Sequence, residues 1–176
     1  MNNQNNQNDQ NNKRKQHITT AQIARMGIIA ALYVALCYIF AFMSYGPIQF
    51  RVAEILLILA LYNKKYCIPV ISGTFLANAL MYGIMDMIFG TLATVLVLLV
   101  IIIVKNKIII APAAALINGV VIGLMLYYLI PEDFGALWFI MATVALGEFV
   151  VVLAGVLVFA GIEKINPKVI DMIKDI

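Results

Sequence analysis

The sequence predicts an all-α membrane protein built as a bundle of six transmembrane helices. Three observations carry that reading. First, 64% of the 176 residues are hydrophobic and only 12% are charged, with a mean hydropathy of +0.98. A soluble domain of this length has too much surface for its volume to hide so much hydrocarbon. Second, the apolar residues fall into six runs separated by short polar or turn-prone links. Third, the basic residues gather in alternate links, as they do in membrane proteins of fixed orientation. The net charge of +3 therefore has a topological explanation and does not point to a nucleic-acid partner.

The chain opens on MNNQNNQNDQNN, a low-complexity polar tract, followed by Lys13, Arg14 and Lys15. Residues 1–17 have nothing to bury and are expected to be a disordered tail. The first apolar run, about 19–43, covers ~37 Å as a helix, enough to span with tilt. It is too long for the apolar core of a signal peptide, so an uncleaved helix is expected. Within it Gly27, Ala31 and Ala35 recur every four residues. Such a small-residue face lets another helix approach closely, either within the bundle or on a separate membrane protein.

The second run, 48–62, covers only ~22 Å as a helix, less than the ~30 Å hydrocarbon core. It is expected to be a half-length helix or one whose outer end stops below the surface. Runs three to six span about 66–84, 87–104, 108–130 and 136–161. The fifth carries Gly119-Val-Val-Ile-Gly123, open to the same two packing readings as the first. The link around Pro131 holds Glu132 and Asp133, which read as solvated loop residues, and Trp138 follows at interfacial depth. Residues 163–176 alternate Ile, Val and Met with Lys and Asp, the pattern of a short amphipathic helix on the cytoplasmic membrane surface. The membrane domain is thus 18–162. Cys37 and Cys67 lack metal-ligand spacing and read as packing residues.

With the N-terminus inside, Lys13, Arg14, Lys15, Arg25, Lys64, Lys65, Lys105, Lys107, Lys164, Lys168 and Lys174 all face the cytoplasm, eleven of the twelve basic residues. Both termini are then cytoplasmic. Arg51 is the exception, and it sits in Gln49-Phe50-Arg51-Val52-Ala53-Glu54. On a helix Arg51 and Glu54, three apart, share one side. Asn78 in the third run, Asp86 at the start of the fourth, Asn118 in the fifth and Glu148 in the sixth are the other polar groups that carry weight. Buried polar groups in a membrane are costly and are functional candidates by default. Glu148 must be paired, protonated or facing a wet cavity. An ion pair with Arg51 is one reading, with Glu54 competing for the same arginine. Three carboxylates against one arginine leave a surplus of acceptors, which favours a ligand carrying several N–H donors or a positive charge.

No catalytic constellation accompanies these groups. The only histidine, His17, lies in the basic tail, and Ser44 and Ser72 lack a histidine partner. No metalloprotease, hydrolase or phosphate-loop motif occurs, so neither enzyme activity nor a cofactor is expected. A channel is disfavoured because charged residues do not recur as a ring or repeat. Binding or transport is what remains.

The patterns Gln49-Phe50-Arg51-Val52-Ala53-Glu54, Gly73-Thr-Phe-Leu-Ala-Asn78 and Asp86-Met-Ile-Phe-Gly-Thr-Leu-Ala-Thr94 together resemble the QueT family of queuosine-precursor transporters, and the likeness extends over about 21–161. That family resembles the substrate-binding S components of bacterial energy-coupling factor (ECF) transporters. The resemblance implies six helices, a solute taken from outside, and association with a transmembrane coupling subunit and two cytoplasmic ATPases in the bacterial cell membrane. It implies a docking role for the face of Gly27, Ala31 and Ala35. The implied substrate is a 7-deazaguanine such as preQ1, preQ0 or queuine. Gln49, Phe50, Arg51, Glu54, Asn78, Tyr82, Asp86, Asn118, Trp138 and Glu148 are then the candidate contacts, with Phe50, Tyr82 or Trp138 as aromatic walls. An S component for riboflavin or thiamine is the rival within that architecture. A structural membrane protein without a solute is the rival outside it.

Overall fold

The computed structural model describes residues 19–43, 50–130 and 135–175, and all the regular structure among them is helical. The tail expected over 1–17, together with Gln49, Glu132 and Asp133, lies outside the described residues. The first helix, α1, runs Thr20–Ile39. It begins at a reciprocal cap in which the Gln22 N–H donates to Thr19 Oγ1 at 3.2 Å and the Thr19 N–H to Gln22 Oε1 at 3.0 Å. A short 3-10 turn, Ala41–Met43, follows.

The second apolar run is a 3-10 helix, Val52–Ile58, passing into one α-turn, α2 (Leu59–Tyr62). At ~2.0 Å and ~1.5 Å per residue the whole is ~20 Å long, the half-length element its sequence implies. Arg51 is the residue before its first turn, not a helical residue as the spacing implies. Ala53, Glu54 and every residue from Leu56 to Ala60 are buried. A helix apolar nearly all round belongs inside a bundle, and this one is the hub. It contacts α1, α3 (Cys67–Met81) and α6 (Leu137–Ile165). Gly155 of α6 allows a close approach to the hub, since a Cβ there would lie 3.2 Å from Ile55 Cα.

Around the hub α1 packs on α3, α3 on α4 (Ile84–Val104), α4 on α5 (Lys107–Leu129), and α5 on α6. Against the six expected spans, four helices among the described residues are long and apolar enough to cross a membrane: α1, α4, α5 and α6. Val52–Tyr62 is too short, and so is α3, at 15 residues or ~22 Å. The shortening of α3 has a local cause. Tyr82 and Gly83 both donate their N–H groups to Asn78 O at 3.0 Å, and Gly83 adopts φ +98°, a conformation open to glycine. The chain reverses there, and α4 starts at Ile84 rather than 87.

Gly119 and Gly123 are used within the bundle. A Cβ on Gly119 would lie 2.9 Å from Met141 O, and one on Gly123 2.6 Å from Met141 Cγ, so α5 and α6 meet at these glycines. The α1 face is different. Gly27, Ala31 and Ala35 are exposed, and a Cβ on Gly27 would meet nothing within 4 Å. Only Met26 and Tyr33 of α1 are buried.

The last helix of the bundle, α6, continues to Ile165, and α7 (Pro167–Lys174) begins on a proline. The terminal amphipathic helix does not lie apart from the bundle. Ile170 is 1% exposed and joins the main core, Arg25 Nη1 donates to Asp175 O at 2.9 Å, and Asn63 Nδ2 donates to Lys174 O at 2.8 Å.

Candidate functional site

The polar groups meet where the hub enters the bundle. Arg51, at the hub's leading end, places Nη2 2.8 Å from Asp86 Oδ1, in the first turn of α4. The reversal at Gly83 brings that turn over the arginine. A carboxylate in a first turn also suits the positive end of the helix dipole. Asn78 of α3 braces the arrangement by donating its side-chain amide to the Asp86 backbone carbonyl at 3.0 Å. The guanidinium lies over the Tyr82 ring, 5.8 Å from its centroid, so it has an anion on one side and a π-face on another. Gly90, one turn on from Asp86, leaves the space this needs. A Cβ there would lie 2.5 Å from Asn78 Nδ2 and 3.0 Å from Arg51 Nη1.

Glu54 faces elsewhere. It is 1% exposed, and its Oε1 accepts from Tyr33 Oη at 2.7 Å and from Thr94 Oγ1 at 3.5 Å. Tyr33 is itself 1% exposed, on the face of α1 turned away from Ala31 and Ala35. Its position is fixed by Gly73, where a Cβ would come within 2.8 Å of Tyr33 Cβ. Glu148, ~17 Å along α6 from Leu137, is buried and near enough to feel the charges of Glu54 and Arg51. Among the described residues Glu54 Oε2 and Glu148 Oε1 are buried without a hydrogen-bond partner. Leaving such an atom unsatisfied costs about 1–3 kcal/mol, more for a charged group.

The arrangement is thus a neutralised pair, Arg51–Asp86, beside two carboxyl groups that each keep an unused acceptor. The arginine is not paired with Glu148, and Asp86 is the partner that the sequence spacing does not identify. Arg51, Glu54, Asn78, Tyr82, Asp86 and Glu148 come together. Phe50 is at the edge, its N–H donating to Met43 O at 3.1 Å and so tying the two ends of the 44–49 link. Asn118 is buried but donates to Ala114 O of its own helix at 3.2 Å, and among the described residues it makes no hydrogen bond to the cluster. Trp138 is 73% exposed with its ring edge-on to Phe139. Tyr33, Thr94 and Gly90 belong to the site geometry although the sequence reading does not single them out. Gly90 and Thr94 stand inside the pattern that begins at Asp86. Tyr33 has a phenol buried in an apolar helix, which must find a partner.

The sequence family described as QueT transporter matches residues 23–164. A curated relative, the queuosine precursor transporter QueT of Lactococcus lactis subsp. cremoris (strain MG1363), is 44% identical over 81 residues, 45% of this chain and 48% of that protein. The matched stretch spans about half the length of that relative. No solved structure matches. The family match covers the hub, the Arg51–Asp86 pair, Glu54 and Glu148, and with the apolar helices around them it makes this a multi-pass membrane protein, not an enzyme. The chain belongs to the QueT transporter family.

Proposed function

We propose that this chain is the substrate-binding S component of an ECF-type transporter, taking up a 7-deazaguanine precursor of queuosine. The observation that carries the proposal is the pair of unused carboxylate oxygens, Glu54 Oε2 and Glu148 Oε1, beside an arginine already neutralised by Asp86. A guanine-type edge offers N1–H and N2–H₂ side by side, which carboxylates accept, and O6, which an arginine or asparagine can donate to. An aminomethyl group, as in preQ1, adds a cation for the second carboxylate. The Tyr82 ring supplies a flat wall. The name of the curated relative points to the same substrate class.

In this reading Val52–Tyr62 and α3 enter the membrane as part-length segments beside the four long helices to complete a six-segment bundle, both termini lie in the cytoplasm, and the protein resides in the bacterial cell membrane. The Arg51 end of the bundle then opens outward and the Lys64, Lys65, Lys105 and Lys107 end faces in. The chain contains no nucleotide-binding motif, so uptake draws on partner ATPases through a coupling subunit. The exposed face of Gly27, Ala31 and Ala35 on the sparsely covered α1 supports a helix docking there. Mass spectrometry of ligand carried through purification tests the proposal. A bound 7-deazaguanine supports it, and a flavin or thiamine in its place contradicts it.

A further inference from the structure

At the end of the bundle opposite Arg51, the C-terminal ends of the hub and α4 enclose a cavity of about 260 Å³. Ala60, Leu61, Ile101 and Ile102 form its apolar walls, and Lys64 and Lys105 stand at its rim with no carboxylate in the lining. Neither lysine makes an ion pair among the described residues. The nearby Lys107 is occupied, by Glu163 and by the Tyr62 ring 5.6 Å away. Lys105 is held at the rim by its backbone, a left-handed residue with φ 49° that closes α4. Ile102 lies one turn beyond Leu99 on α4, where Leu92, Leu96, Leu99 and Ile103 form an exposed apolar stripe along the helix.

We propose that this cavity binds an anionic phospholipid, its phosphate held between Lys64 and Lys105 and its acyl chains lying along the α4 stripe. Two ammonium groups lining one cavity, without a counter-ion among the described residues, repel each other and favour an anion. The apolar walls and the adjoining stripe favour an anion that carries hydrocarbon. Basic pockets between helices at the membrane surface bind anionic headgroups on these grounds. A zwitterionic lipid brings its own cation to the same rim and gains less. A free phosphate shares the headgroup chemistry but leaves the apolar walls unused.

Native mass spectrometry of the full chain in detergent tests this, with phosphatidylglycerol and phosphatidylcholine of matched chains as probes. The wild type should retain phosphatidylglycerol in preference to phosphatidylcholine. K64Q/K105Q should bind phosphatidylglycerol about 30-fold more weakly, about 2 kcal/mol. K168Q, which changes an exposed lysine of α7 outside the cavity lining, should bind as the wild type does. Equal loss in K168Q would show charge attraction without a site, and unchanged binding in K64Q/K105Q would remove the site altogether. Full displacement of the lipid by millimolar inorganic phosphate would contradict the assignment to a lipid, and persistence of the lipid under phosphate would support it.

Discussion

Arg51 and Asp86 form a buried ion pair, Nη2 to Oδ1 at 2.8 Å, with side chains 9% and 14% exposed. The pair joins the leading end of the hub to the first turn of α4, across 35 residues of sequence. Breaking one side of a buried pair strands the other charge and costs about 3–5 kcal/mol. Asp86→Asn should fall at the lower end, about 3 kcal/mol, because Asp86 keeps some contact with the exterior. It should weaken cationic and neutral 7-deazaguanines alike, since its carboxylate serves the arginine. Thermal unfolding in detergent and parallel titration of preQ1 and preQ0 check this. A selective loss of preQ1 affinity without loss of stability would assign Asp86 to the ligand instead.

Gly90 should not tolerate a side chain. The added methyl in Gly90→Ala meets Asn78 Nδ2 at 2.5 Å and Arg51 Nη1 at 3.0 Å, and both groups are held by Asp86. Overpacking of this kind costs about 1–3 kcal/mol. The expected outcome is a lower melting temperature together with weaker ligand binding. Gly27→Ala, where nothing lies within 4 Å, should leave both unchanged.

The hub and its surroundings show what could be read in the sequence and what could not. The short second run and the small-residue face of α1 follow from run length and residue spacing, which are local properties, but spacing leaves open whether that face packs inside the bundle or outside it, and the structure leaves it exposed. The partner of Arg51 does not follow from local properties. Spacing leaves Glu54 and Glu148 as the contenders, because Asp86 becomes a neighbour only through the reversal at Gly83, whose φ of +98° a single glycine in an apolar stretch does not announce. The bond from Tyr33 to Glu54 joins residues 21 apart on different helices, and no helical pattern encodes it. The same reversal explains why α3 ends at Met81, short of a full span.

If the chain acts as the proposed S component, bulky residues on the exposed face of α1 should separate assembly from binding. Ala31→Leu with Ala35→Leu should prevent the coupling subunit from docking, since both positions face away from the bundle. Ligand affinity of the isolated chain should remain, because Tyr33, on the opposite face, still reaches Glu54. Co-purification with the coupling subunit and ATPases, alongside ligand titration, reads the two effects. Full assembly of the doubly substituted protein would place the docking surface elsewhere.

Orientation is open to a labelling test. Single cysteines replacing Asn63 and Asp133, in a background without Cys37 and Cys67, should react differently with an impermeant reagent on intact cells. Position 133 should label and position 63 should not. The reverse pattern would invert the bundle and place the Arg51 site on the cytoplasmic side.

In the proposed function Glu54 and Glu148 present acceptors to a donor-rich ligand. Titration of preQ1 by calorimetry against the wild type, Glu148→Gln and Glu54→Gln tests it most directly. Exchanging an acceptor for a donor against a guanine-type edge costs about 1–3 kcal/mol, about 5- to 150-fold in affinity. Glu148→Gln should lose affinity by that factor while its melting temperature holds, since Glu148 Oε1 has no partner among the described residues. Glu54→Gln should lose both affinity and some stability, since it also disturbs Tyr33 and Thr94. Unchanged preQ1 affinity in both variants, with the fold intact, would contradict the account and make the carboxylates structural.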